Sequence, residues 1–285
     1  MPRPPKYKVK LAEWITDLEG QNYSPRTTHR YETSTRKGWE YGMKRGWPPD
    51  PCKVTAAQFR EYQDYLRRYS SNYQYTLAEP LLLFLRWCGN PFLERYRLKI
   101  RVSRMNVNWL EVDELSAVLA SAPNKQTKAA ECLYAYTGIR LEEAVTLRWA
   151  DVRPDQLTVR GKGTKYRNIP LTQNFWDSIS EYMEWRRTVE DPFFLIHPRS
   201  NAHPQGPYTP DGLAEVVRQH SKKMGVKFSS HTFRRSFGRH LYKAGMPLPE
   251  IQRLYGHASV EMTIRYIGIR DDDLSESLAR FQPRY

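Results

Sequence analysis

The chain has 285 residues, 40% of them apolar, and carries 45 Lys or Arg against 31 Asp or Glu, a formal charge of +14. That is apolar material for one large or two ordinary domains, and a basic excess of this size implies a polyanionic partner, most often nucleic acid. A membrane partner has no support, because no apolar run approaches the length of a spanning helix.

Residues 1–5 read as a Pro-rich basic arm, and the N-terminus, MPRPPKYKVK, has no apolar h-region and does not read as a signal peptide. Leu11, Trp14, Ile15 and Leu18 follow the spacing of an amphipathic helix. Ser24 before Pro25 predicts an N-cap with Pro at the first helical position. That helix runs through Tyr31 and Trp39 toward Met43, with Arg26, Arg30, Arg36, Lys37, Lys44 and Arg45 along it. Trp47 to Pro51 is a loop. Thr55 to Gln58 is a capping box opening a third helix with Phe59, Tyr62 and Leu66 as its stripe. A fourth covers about Asn72 to Trp87, with Pro80 expected to kink it. Residues 1–108 hold twenty basic and ten acidic residues, a balance of +10, against +4 for the other 177. Local Lys/Arg density of this kind suits phosphate neutralisation. The stretch from Asn90 to Asn108 is strongly basic without helical periodicity and reads as a linker.

Trp109-Leu110 opens a second domain. Asp113 to Ala120 is helical and Lys125 to Tyr136 is an apolar helix. In TGIRLEEAVTLRW, Thr137-Gly138 breaks that helix and Arg140 starts the next. An Arg beside a buried helix is costly unless paired. Glu143, three residues on, is the candidate partner, either in a structural pair or holding the guanidinium toward a phosphate. QLTVR and YRNIPL are β-rich and flank GKGTK, a hairpin with a flexible tip that carries Lys162 and Lys165. Thr172 to Thr188 reads as one helix, and Asp191 to Tyr208 as a Pro-rich loop whose His197 and His203 have no metal-ligand spacing around them. A helix follows from Pro210 to Met224. His231 and Arg234 then share one face of a helix, with Phe233, Phe237 and Leu241 as its apolar stripe, and Gly245 with Pro247 ends it. Leu248 to Leu254 is a short helix before Gly256-His257, and a further helix carries Thr263 and Tyr266. The last, Arg270 to Phe281, has Leu274, Leu278 and Phe281 on one side.

HxxR, then Gly-His after a short helix, then Thr-x-x-Tyr ending nine residues on, resembles the C-terminal signature of the tyrosine recombinases, the lambda-integrase and Xer-type enzymes. The likeness covers residues 109–285, where TGIRLEEAVTLRW and GKGTKYRNIPL match as well; Arg235 and Tyr255 depart from the commonest pattern. It implies a mainly α fold with a small β-hairpin: an N-terminal four-helix, SAM-like core-binding domain at 1–100, a basic linker at 101–108 and a catalytic domain at 109–285. It further implies Tyr266 as nucleophile, Arg140 and Arg234 on the non-bridging oxygens, His231 as proton acceptor or phosphate donor, His257 on the phosphate, and Lys162 protonating the 5′ oxygen. Lys165 is a second candidate for that last role.

The activity so implied is site-specific DNA recombination through a 3′-phosphotyrosyl intermediate, as the integrase or excisionase of a mobile element. A Xer-type dimer resolvase and a type IB topoisomerase-like nicking-closing enzyme are the alternatives. The partners would be double-stranded DNA, further copies of the chain in a tetrameric synapse, and an accessory directionality factor. With no CxxC pair among Cys52, Cys88 and Cys132 and no GxxxxGK[ST] loop, no metal, cofactor or ATP is expected, and the location is cytoplasmic, at the nucleoid. The C-terminal helix, Arg270 to Phe281, is expected to dock on a neighbouring protomer, with folding back in cis as the alternative.

Overall fold

Why the first hundred residues become helices is visible at their caps. Ser24 Oγ accepts from Thr27 N at 3.3 Å with Pro25 at the first helical position, and Thr55 and Gln58 close a reciprocal capping box. The structure is a computed structural model and describes residues 6–100, 108–161, 166–197, 206–269 and 271–281. The basic arm at 1–5, residues 101–107, Lys162, Lys165 and His203 lie outside the described residues, as does the side chain of Phe281. The chain divides into two compact units, Met1–Met105 and Asn106–Tyr285. It is mainly helical, and its described strands form two small antiparallel pairs.

The first unit contains α1 (Lys6–Gly20), α2 (Pro25–Lys44), α3 (Ala56–Leu66) and α4 (Ser71–Trp87). Its core is aromatic: Trp14, Trp39, Trp47, Phe59, Tyr62 and Phe84 are all buried. α2 and α4 approach closely because Gly38 stands where a Cβ would lie 2.6 Å from Leu81 Cδ2. Pro80 sits inside α4, buried, with the helix running on past it to Trp87. Asn90 pins the segment beyond α4. Its Nδ2 donates to Pro51 O (2.7 Å) and Val54 O (2.9 Å), and its Oδ1 accepts from Phe92 N and Leu93 N. No described helix of the chain is long and apolar enough to cross a membrane.

The second unit is built on α6 (Lys125–Thr137), buried on almost every face and packed against α11 (Ser230–Lys243). Around these two lie α5 (Val112–Ala120), α7 (Leu141–Thr146), α8 (Gln173–Ser178), α9 (Ser180–Arg186), α10 (Pro210–Met224), α12 (Leu248–Tyr255), α13 (Val260–Ile267) and α14 (Asp271–Phe281). The hairpin pairs β1 (Gln156–Arg160) with β2 (Tyr166–Pro170), Val159 opposite Arg167. Two expectations need correction. The single helix over Thr172–Thr188 is broken at Ile179, whose backbone (φ −116, ψ 14) leaves the helical region so that its buried side chain and Phe175 both reach the core. The Pro-rich loop also contains a two-residue pair, β3 (Ile196–His197) with β4 (Gly206–Pro207).

Two buried polar pairs, one ionic and one a shared-proton contact, tie distant elements of this unit together. Asp273, at 2% exposure, accepts from Arg239 Nη1 and Nη2, both at 2.6 Å, and lies 2.8 Å from Lys243 Nζ. This holds the start of α14 on α11 in cis, while Leu274 and Leu278 are exposed at 62% and 67%. Glu131 on α6 and His220 on α10 are both fully buried side chains, with Oε1 and Nδ1 2.8 Å apart and Ser121 Oγ 3.2 Å from His220 Nε2.

The Glu131–His220 pair gives stability a pH signature. Burial pushes Glu131 up to about 8; burial, opposed by Ser121 and reinforced by Lys223, lowers His220. The folded pair therefore shares one proton up to about pH 8, whichever atom carries it. Unfolded, with ordinary values of 4.5 and 6.5, the two groups hold one proton between those pH values and none above. Above 6.5 the folded state thus binds more protons than the unfolded, and stability must fall as pH rises. From pH 6.5 to 8, where each group is half titrated at one limit, the expected loss is about 1.3 kcal/mol. Glu131→Gln should flatten that limb; urea melts at pH 6 and pH 8.5 measure it, and an unchanged slope in the variant would refute the assignment.

Candidate active site

Arg140 is the residue at the N-terminal boundary of α7, and the Glu143 carboxylate reaches back to accept from it. Glu143 Oε2 accepts from Arg140 N at 2.8 Å, and Oε1 from Arg140 Nη1 at 2.9 Å. The pairing expected between them is present, but Glu143 has a second partner that sequence spacing does not reveal. Arg167 of β2 grips the same carboxylate in bidentate fashion, Nη1 to Oε1 at 2.8 Å and Nη2 to Oε2 at 2.7 Å. Burial opposes ionisation of Glu143, yet the bonds and charges of Arg167 and Arg140 outweigh it and hold the group at about 2. Arg140 keeps 37% of its side chain exposed, whereas Arg167 keeps 12%.

Arg234 is 2% exposed. Its Nη1 donates to Gly138 O, and its Nη2 donates to Tyr255 O at 3.1 Å and approaches His257 Nε2 at 3.3 Å. Gly138 ends α6 in the left-handed region (φ 59), and a Cβ there would lie 2.5 Å from Phe237 Cδ1 and 2.8 Å from Tyr255 Cε1. The sharp turn that aims the Gly138 carbonyl at Arg234 is therefore open only to glycine. Tyr255 is fully buried, its hydroxyl donating to Arg234 O and its ring 4.2 Å from the Arg234 guanidinium carbon. Burial and the Arg140 charge lower Arg234 to about 10, so it is still a cation at neutral pH.

Gly256, in the left-handed region (φ 61), ends α12 and turns His257 back toward Arg234. His257 Nδ1 lies 3.0 Å from Thr263 Oγ1. Burial first, then Arg234, Arg140 and Arg167, lower His257 to about 4, so the ring is neutral at pH 7. A guanidinium only donates, so Nε2 is the acceptor and Nδ1 carries the proton toward Thr263.

On α13, Tyr266 Oη is 3.1 Å from His231 Nδ1. Burial raises Tyr266 while Arg234, Arg235 and Arg140 pull it down. His231 is lowered by partial burial and then by Arg235, Arg234 and Arg140, although solvent reaches its ring. A neutral imidazole beside a protonated phenol is an acceptor waiting for a proton. Arg234 and Arg235 stand over the Tyr266 ring at 5.6 and 5.4 Å, and the His257 ring is 5.6 Å away.

Five of the six candidate residues, Arg140, His231, Arg234, His257 and Tyr266, thus share one neighbourhood, linked by contact or by the charge of Arg140. Lys162 lies outside the described residues, but Gly161 before it lines a cleft of about 970 Å³ together with Arg140, Arg160, Arg167 and His257. Arg167, Arg235 and Thr263 were not among the candidates; only Thr263 had a signal, its place in Thr-x-x-Tyr. No cluster of three or more His, Cys, Asp or Glu that could hold a metal ion occurs among the described residues.

Residues 108–272 match the family model described as the Phage integrase family. The chain is 32% identical over 147 residues to "Tyrosine recombinase XerA" of Pyrococcus furiosus, covering 50% of each protein. Against "Tyrosine recombinase XerA" of Pyrococcus horikoshii it is 26% identical over 275 residues, covering 95% of this chain and 92% of that one. Its fold is similar to that in the crystal structure of a lambda integrase dimer bound to a COC' core site, with TM-score 0.70 and 17% identity over 98% of this chain and 79% of that one.

Proposed function

Because the chain belongs to the phage integrase family, the tyrosine recombinases, we propose that the site built on Arg140, His231, Arg234, His257 and Tyr266 cleaves and rejoins double-stranded DNA. The observation that carries this reading is the Tyr266 hydroxyl 3.1 Å from a neutral His231 and under two guanidiniums. A phenol near pKa 10 does not ionise by itself at neutral pH. His231 Nδ1 accepts its proton as Tyr266 Oη attacks the backbone phosphorus. Arg140 and Arg234 hold the non-bridging oxygens and offset the charge that develops there. The bond from phosphorus to the 5′ oxygen breaks, and that oxygen is protonated by the hairpin lysine, Lys162 or Lys165. The products are a 3′-phosphotyrosyl enzyme and a free 5′ hydroxyl. One phosphoester replaces another, so rejoining by a second 5′ hydroxyl requires no ATP.

Bound phosphate competes for the Arg234 N–H now shared with His257 Nε2. The Thr263 hydroxyl either accepts or donates. Once phosphate takes the guanidinium, Thr263 can donate to Nδ1, and His257 then presents Nε2–H to the phosphate. The basic first unit would grip the duplex, consistent with its excess of Lys and Arg. Acting on chromosomal or element DNA, the enzyme would work in the cytoplasm at the nucleoid. Mobile-element integration and Xer-type resolution share all these steps; the curated relatives named above favour the second.

Exchange of two duplexes needs four active sites, and the outward Leu274 and Leu278 offer an apolar contact for a neighbouring protomer. A nicked suicide duplex tests both parts. The purified protein should yield an SDS-resistant adduct, in EDTA as well as in magnesium, and a slower-migrating synaptic species on full sites. Leu274→Glu with Leu278→Glu should keep the adduct and lose the slow species. No adduct on the cognate site, or one that EDTA abolishes, would overturn the function; an undiminished slow species would overturn the helix contact.

A further inference from the structure

Arg167 is placed where it meets the machinery without belonging to it. Each oxygen of Glu143 receives one bond from Arg167 and one from Arg140. The carboxylate is thus shared between two guanidiniums. Arg167 is itself fixed, because Nε donates to Leu254 O at 2.9 Å and its Cδ would lie 3.2 Å from a Cβ at Gly256. β2, the start of α7 and the end of α12 meet on this one side chain.

The charge balance gives the contact its meaning. A single Glu143 paired with a single Arg140 is neutral overall, and a carboxylate folded over that guanidinium competes with any anion approaching it. With Arg167 present the trio carries one net positive charge. Glu143 is held on the side of Arg140 away from solvent, at 8% exposure against 37% for Arg140. A carboxylate anchored by two bonds from Arg167 cannot swing to cover the exposed face of Arg140.

We propose that Arg167 is a positioning residue for strand cleavage: by engaging Glu143 from β2 it keeps Arg140 aimed outward and electrostatically available to the scissile phosphate. This rests on the phosphate-binding role of Arg140 given above. It predicts an effect on the chemical step that passes chiefly through Arg140, since burial, Arg234 and Arg140 still lower His257 without Arg167.

Single-turnover cleavage of the nicked duplex at saturating protein, together with half-site affinity and thermal midpoint, tests it. Arg167→Gln should slow cleavage roughly 100-fold, the scale at which outer partners of a functional ligand act, with affinity changed less than about threefold. Arg167→Lys keeps a cation against Glu143 and should recover about tenfold of that loss. In an Arg140→Ala background, Arg167→Gln should cost less than about twofold further. A full independent loss in that background overturns the proposal, as does a fall in affinity or thermal midpoint that accounts for the slower cleavage. If Arg167→Gln does not fold, the same cycle is run with Arg167→Lys. Failure of the recombinase reading shows differently, as a wild-type protein that forms no adduct at all.

Discussion

Tyr266→Phe should abolish the covalent protein–DNA adduct while leaving half-site binding and folding almost unchanged. The substitution removes one oxygen. In the fold that oxygen makes the 3.1 Å contact with His231, and loss of such a bond costs about 0.5–1.5 kcal/mol. In the proposed reaction it is the nucleophile, and its neighbours are poorly placed to replace it. Tyr255, whose ring centroid lies 5.6 Å from that of Tyr266, is fully buried, donates to Arg234 O, and is pushed far above the ordinary phenol range by burial. The assay is denaturing gel electrophoresis of the protein on the suicide duplex, with wild type and Tyr266→Phe side by side. A persistent adduct in the Phe variant would remove Tyr266 from the mechanism and direct attention to Tyr242.

The two arginines should separate by what else they do. Arg140→Ala and Arg234→Ala should each cost about 2.7–4 kcal/mol of transition-state stabilisation, the usual effect of deleting one preorganised donor to a developing charge. Arg140 is the more exposed, and Glu143 keeps Arg167 when it is gone, so the variant should fold with near-normal stability. Arg234 is different: its removal leaves the carbonyls of Gly138 and Tyr255 without their donor in a buried site. A buried acceptor left unsatisfied costs about 1–3 kcal/mol. Single-turnover rates give the first quantity and urea midpoints the second. Equal destabilisation by the two substitutions, or loss of binding as large as loss of cleavage, would contradict the division of roles.

Most of the site was legible because it is written in short spacings. HxxR, Gly-His and Thr-x-x-Tyr are local patterns, and local turns bring their side chains together. Arg167 was invisible because it reaches Glu143 across 24 residues by way of a hairpin, and spacing offered Arg140 as a sufficient partner. The Glu131–His220 pair, 89 residues apart, was hidden in the same way within a helix that otherwise reads as apolar. The division at Ile179 escaped because Trp176, Ile179 and Met183 keep helical spacing through a break that is made by the backbone alone. Tyr255, read from the sequence as a departure from a pattern, is the wedge between the end of α6 and Arg234.

Gly138 shows how fine a tolerance this arrangement carries. One added carbon there would meet two rings at once, Phe237 and Tyr255. Tyr255 cannot retreat without dragging its carbonyl and hydroxyl off Arg234, and the Gly138 carbonyl would leave with the altered turn. A methyl group at this position would therefore act as a remote lesion: all the reactive side chains would still be encoded, yet the guanidinium at their centre would have lost its seat. The accuracy of the whole constellation is set by an atom that is missing.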